Sequence, residues 1–133
     1  MDEKKLIQKS DEQLKINISQ EKENIEIAFL LERLDFTDII ILKKFYLTGK
    51  AFPYDTQPYC FPILYSEMRE NNNLKLTKEG LRKRLHSLVK VGLLEKINRS
   101  NPSIYLPIKD KVDFVRKLIK KFFLTSGLFN SLI

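Results

Sequence analysis

The chain has 133 residues, enough for one domain with its own core, and 43% of them are apolar. Its formal net charge is +7, and its one cysteine, Cys60, excludes an internal disulfide framework. No apolar run reaches the roughly 18 residues of a membrane span, and the opening MDEKKLIQKSDEQ is too polar for a secretory signal, so a cytoplasmic protein is expected.

The charge is uneven. Residues 1–35 hold six basic and nine acidic side chains, whereas 36–133 hold eighteen and eight. The segment from Lys75 to Arg99 alone has eight basic and two acidic residues. A basic field concentrated on one segment is the footprint of a phosphate-backbone partner, although a solvated lysine-rich face is the plainer alternative.

Residues 1–20 stay open. Ser10-Asp11-Glu12-Gln13 resembles a capping box, yet Leu14, Ile16 and Ile18 alternate as in a strand. From about Glu21 to Leu34 a helix is expected, with Ile27, Leu30, Leu31 and Leu34 on one face. Its acidic character suits packing or dimerisation rather than nucleic acid. Asp35 or Thr37 can cap the next helix, which runs to about Leu47 and is apolar on most sides, so it should be buried.

Lys50 to Phe61, KAFPYDTQPYCF, reads as a loop broken by two prolines, and no regular strand is expected in it. Its aromatics Phe52, Tyr54, Tyr59 and Phe61 either cap the core or line a pocket; a small-molecule effector is possible but not indicated. Pro62 suits the first turn of a helix to about Glu70, which Asn71-Asn72-Asn73 then breaks.

The most informative stretch is Leu74 to Leu94, LKLTKEGLRKRLHSLVKVGLL. Thr77 is an N-cap, Leu81, Leu85, Leu88 and Val89 follow the helical period, and Gly92 is placed to end the helix in a left-handed conformation. The opposite face carries Lys78, Glu79, Arg82, Lys83, His86, Ser87 and Lys90. A short β-hairpin is expected next, about 93–98 and 103–107, with Arg99 at its tip among turn-forming residues.

This basic helix, glycine stop and polar-tipped hairpin resemble the recognition helix and wing of the winged helix-turn-helix family. The resemblance rests on Leu81, Arg84, Leu85, Leu88, Gly92, Leu93, Leu94, the turn and Tyr105, and covers roughly 36–107. The turn from Asn71 to Leu76 is longer than the three or four residues of a tight helix-turn-helix. The resemblance implies a mainly α fold with a small β-hairpin, of α+β class, that binds double-stranded DNA. The residues add an acidic extension over 1–35 and a C-terminal helix over 108–133 on either side, and the resemblance implies dimerisation through such added helices.

In that helix, from Asp110 to about Thr125, Val112, Val115, Ile119 and Phe122 are spaced like a coiled-coil seam. They are the expected contacts of a homodimer; folding back on its own domain is the alternative. Phe129, Leu132 and Ile133 add apolar bulk.

The expected function is that of a sequence-specific transcriptional regulator. Helix 77–91 would enter the major groove and the wing, about 94–106, would meet backbone or minor groove. The expected DNA-binding residues are Thr77, Lys78, Arg82, Lys83, His86 and Ser87 on the helix, with Lys96 and Arg99 on the wing. Arg82 is the candidate reader of guanine, since its fork matches O6 and N7. Arg84 can pair with an internal acid or touch phosphate.

An architectural DNA binder and a protein-interaction module are the rival readings. No enzyme is expected: His86 is the single histidine, and glycines 49, 80, 92 and 127 form no phosphate loop. No metal or cofactor is expected either, and Cys60 should be buried and inert.

Overall fold

The structure is a computed structural model that describes residues 2–48, 56–72 and 75–126. The calls on Gly49, Phe52, Tyr54, Asn73, Leu74, Gly127, Phe129, Leu132 and Ile133 lie outside these residues. The chain is mainly helical with a small antiparallel sheet, an α+β architecture. It divides into two compact units, Met1–Arg33 and Leu34–Ile133. Among the described residues no helix is long and apolar enough to cross a membrane.

The first unit is one helix, α1, Asp2–Arg33. The strand-like alternation of Leu14, Ile16 and Ile18 is therefore not used. In a helix Leu14 and Ile18 lie on one side and Ile16 on the opposite side, and all three are exposed. The helix is pinned locally: Gln13 Nε2 donates to Asn17 Oδ1 at 3.1 Å, and the Arg33 guanidinium lies 4.0 Å from the centre of the Phe29 ring.

The second unit starts with α2, Phe36–Tyr46. Of the two possible caps, Asp35 is used. The Asp38 amide donates to Asp35 Oδ1 at 2.9 Å, and the Asp35 amide donates back to Asp38 Oδ2 at 3.1 Å. This reciprocal box satisfies donors that a helix start otherwise leaves without partners. As expected from its composition, α2 buries Ile39, Ile40, Ile41, Leu42, Phe45 and Tyr46.

Strand β1 is Tyr59–Cys60, followed by helices α3, Phe61–Asn72, and α4, Lys78–Lys90. Strands β2, Leu94–Ile97, and β3, Ile104–Pro107, form the hairpin. A 3-10 turn at Lys109–Lys111 leads into α5, Val112–Ser126. β3 is the central strand of a three-stranded sheet, with Tyr105 opposite Tyr59 on one side and Lys96 on the other.

Strand β1 corrects the reading of 50–61 as strandless. Its order comes from distant partners rather than from propensity. The Tyr59 ring packs edge-on against Phe45, centroids 5.3 Å apart, and the Phe61 amide donates to the Ser103 carbonyl at 2.9 Å. Cys60 is half-buried, less enclosed than expected. Helix α3 starts at Phe61, consistent with Pro62 in the first turn, and runs through Asn72, two residues past the expected stop.

α5 belongs to the second unit and packs on α2, so the described part of the C-terminal region, 108–126, is not a separate region. Val115 and Ile119 are fully buried there with Leu118 and Phe123, while Val112 and Phe122 are half-buried. Two of the four expected dimer contacts are thus core residues of the protomer. The apolar periodicity was visible, but periodicity marks only a face that must be covered, not what covers it. Phe36 packs against Phe122 and Phe123, with centroids 6.5 and 6.4 Å away.

Tyr46 joins these pieces. Its hydroxyl donates to the Leu93 carbonyl at 2.6 Å and accepts from the Ile108 amide at 2.8 Å, and its carbonyl accepts from Arg116 Nε at 2.9 Å. One buried side chain therefore ties α2 to both ends of the hairpin, while its backbone holds α5. Burial pushes the Tyr46 hydroxyl above its usual range, against the opposing pull of the Ile108 amide.

Candidate nucleic-acid interface

Helix α4 is built as its sequence suggests. The Gly80 amide donates to the Thr77 hydroxyl at 2.9 Å, and Gly92 adopts φ +80° just beyond the helix. Leu81, Leu85 and Leu88 are fully buried, each worth about 1.5–3 kcal/mol of transfer free energy. Lys78, Glu79, Arg82, Lys83, His86, Ser87 and Lys90 are all exposed on the other side.

Arg84 lies at the margin between these faces, and its alternatives are resolved. Its Nη1 reaches both Asp35 oxygens at 2.7 Å and Asp38 Oδ1 at 3.0 Å. One guanidinium thus joins α4 to the cap of α2. Burial works to raise the Asp35 carboxyl, but the Arg84 and Asp38 hydrogen bonds outweigh it and hold that carboxyl below its ordinary value. Asp38 goes the other way: its deeper burial and the adjacent Asp35 charge prevail over the hydrogen bonds it receives, raising its carboxyl.

The exposed face does not act as a plain cylinder. Arg82, His86 and Lys96 line one cleft of about 400 Å³ with Phe61, Tyr105 and the turn residues 101–103. It lies between α4, the start of α3 and the hairpin. The Arg82 guanidinium lies over the Phe61 ring at 4.4 Å, and Lys96 Nζ over the Tyr105 ring at 5.9 Å. Just outside the cleft, Lys78 Nζ is 5.7 Å from the Tyr65 ring.

None of the cleft residues is acidic, and Arg82, His86 and Lys96 form no ion pair among the described residues. Burial raises the Tyr105 hydroxyl above its usual range, and the positive charge of Arg82 opposes this. The Phe61 ring attracts the Arg82 guanidinium, and no ion pair among the described residues engages it, so its donors stay available.

The structure therefore gathers three of the eight expected residues, Arg82, His86 and Lys96, at one concave place. Lys83 and Ser87 are exposed on α4 but do not line the cleft. Thr77 already accepts the Gly80 amide, leaving its hydroxyl proton for a further acceptor. Arg99 is exposed at the hairpin tip, where its φ of 68° puts it in the left-handed region. Asn101-Pro102 is a cis peptide bond.

Sequence reading missed Phe61, Tyr65 and Tyr105 as supports for cations. Phe61 and Tyr65 stack with centroids 6.2 Å apart, and their i,i+4 spacing on a helix was the available signal. Tyr105 gave no local signal, since strand pairing alone brings it beside Lys96. Among the described residues no group of three His, Cys, Asp or Glu side chains could hold a metal ion. No protein-family model, curated protein or solved structure matches the chain.

Proposed function

We propose that the protein is a winged-helix DNA-binding transcriptional regulator, with α4 as its recognition helix and the β2–β3 hairpin as its wing. The observation that carries this reading is the acid-free cleft in which Arg82 and His86 of α4 meet Lys96 of β2. The order of elements from α2 to β3 also agrees with the family resemblance.

Duplex DNA presents a line of phosphates, and a binder meets it with positive side chains and N–H donors on one surface. In this reading α4 offers base edges the exposed donors of its N-terminal half. Lys78, Arg82, Lys83 and His86 face the groove, and Arg82 reads guanine from its place beside Phe61. Thr77 and Ser87 meet phosphate, and Lys96 and Arg99 grip the backbone beside the groove. The protein acts as a homodimer on double-stranded DNA and needs no cofactor.

The test is an anisotropy titration of labelled duplexes, the protein's own upstream region against a scrambled one, at several salt concentrations. Tighter binding to the upstream duplex is the expected result, with a salt slope that counts phosphate contacts. Equal binding to both would move the reading to an architectural DNA binder. No binding at low salt would leave a protein-interaction module, whose basic face meets an acidic partner.

A further inference from the structure

We propose that α1 pairs with α1 of a second copy of this chain as a parallel, in-register two-helix coil. Five large apolar side chains on α1 are exposed; Ile16 faces the other way, and the remaining four are Leu14 at 58%, Ile18 at 43%, Ile25 at 69% and Phe29 at 51%. With about 100° between successive residues, they fall within roughly 60° of arc, one narrow stripe along the helix. Every described residue from 13 to 26 is exposed except half-buried Glu23. A helix with five isoleucines, at 7, 16, 18, 25 and 27, has modest intrinsic propensity, and a long helix in water draws most of its stability from packing an apolar face. This stripe has the form of such a face.

The spacing specifies the shape of the pair. Leu14 and Ile25 are eleven residues apart, as are Ile18 and Phe29, Glu21 and Glu32, and Lys22 and Arg33. An eleven-residue repeat nearly matches the straight α-helix and gives a slight right-handed supercoil. The apolar stripe alone does not choose a direction: in a parallel pair each residue meets its own copy, and in an antiparallel pair Leu14 meets Phe29 and Ile18 meets Ile25.

The charges do choose. One flank of the stripe carries Lys15, Lys22 and Arg33; the other carries Glu21 and Glu32. Glu26 lies further from the stripe on the basic side. A two-fold axis parallel to the helices sets the basic flank of one copy against the acidic flank of the other, so Glu21 meets Lys22 and Glu32 meets Arg33. Antiparallel pairing sets Lys22 against Lys22 and Glu21 against Glu21, which repel. Glu21, Lys22, Glu32 and Arg33 form no ion pair among the described residues.

The pairing gives the homodimer a seam on α1 instead of α5. Both chains leave a parallel pair at the same end, so the two copies of the second unit are tethered close together. The inference does not depend on the nucleic-acid reading, since the association is measured without DNA.

The experiment is analytical ultracentrifugation of the full chain and its variants, with circular dichroism to check folding. The wild type is expected to sediment as a dimer at about 50 μM, and Ile18→Lys/Ile25→Lys to weaken association roughly 100-fold or more, because each copy then places two charges in the seam. These positions are exposed, so the second unit should melt as before. In a Cys60→Ser background, Ile25→Cys should form a disulfide-linked dimer on mild oxidation. A Glu21→Lys/Glu32→Lys chain should prefer a Lys22→Glu/Arg33→Glu chain over its own copy. A monomeric wild type, or a dimer unaffected by the double lysine variant, overturns the proposal. So does crosslinking of an Ile18→Cys chain to an Ile25→Cys chain without crosslinking of Ile25→Cys to itself, which marks antiparallel pairing.

Discussion

Arg82 of α4 rests its guanidinium 4.4 Å from the centre of the Phe61 ring at the start of α3. A flexible side chain is thereby biased toward one position before anything binds, by about 0.5–1 kcal/mol for a cation over a ring at an exposed site. Less conformational freedom remains to be lost on contact with a groove, and less loss means tighter binding for the same hydrogen bonds.

Arg82→Ala should therefore cost about 1–3 kcal/mol on a preferred duplex and relax sequence preference, whereas Arg82→Lys keeps the charge and loses the fork. Phe61→Leu, which retains an apolar side chain but no ring, should weaken binding in the same direction by a smaller amount. Anisotropy titrations on specific and scrambled duplexes separate the two roles of Arg82. An equal loss on every sequence would assign it to phosphate and refute base reading.

Arg84 should behave differently. Its partners are Asp35 and Asp38, and its loss leaves two neighbouring carboxylates without a cation. Hydrogen bonds to charged groups contribute about 1.5–3 kcal/mol. Asp35 is more than half exposed, so solvent screening lowers that contribution. We expect Arg84→Met to cost about 1–2 kcal/mol of stability by urea melt, with little change in the salt slope of DNA binding. A large drop in that slope with unchanged stability would mean that Arg84 meets phosphate.

Tyr46→Phe removes one oxygen that serves two backbone partners. The buried Leu93 carbonyl and the Ile108 amide each lose a hydrogen bond, at about 1–3 kcal/mol for a group left unsatisfied. The melting temperature should fall by several degrees. An unchanged melt would show that water replaces the hydroxyl.

Tyr59 makes alkaline pH informative. Burial, reinforced by the Glu67 carboxylate that accepts from its hydroxyl, pushes the Tyr59 pKa to about 12 from an ordinary 10.0. The folded state therefore holds a proton that the unfolded state releases. The associated stability is complete below pH 10 and is lost as pH rises toward 12. Ultraviolet titration of the folded protein should show late tyrosine ionisation, and Tyr59→Phe should reduce its amplitude. Normal ionisation of all the tyrosines would contradict this packing.

Helix α4 was legible because its cap, its apolar period and its glycine stop all act within a few residues of the features they determine. The outward direction of Arg82, Lys83 and His86 follows from the same period. What surrounds those side chains was not legible, since Phe61 and Tyr105 arrive from other elements. Strand β1 escaped for the same reason: two residues with a proline before them have no strand signal, and only pairing with β3 defines them. Leu14, Ile16 and Ile18 left the choice open because their alternation suits a strand while Leu14 and Ile18 also share a helix face. Arg84 and Asp35 are 49 positions apart, beyond any local pattern.

The central place of β3 also limits how this site can vary. Tyr105 is opposite Tyr59 and Lys96 at once, and its ring is buried. A slip of one residue along either neighbour would turn that ring outward, because strand faces alternate. The hairpin therefore has no graded series of positions against α4, and the cleft keeps one width or loses its wall. Changes of preference in such a protein should come through exchange of exposed side chains such as Arg82, His86 and Lys96, with the backbone as a fixed gauge.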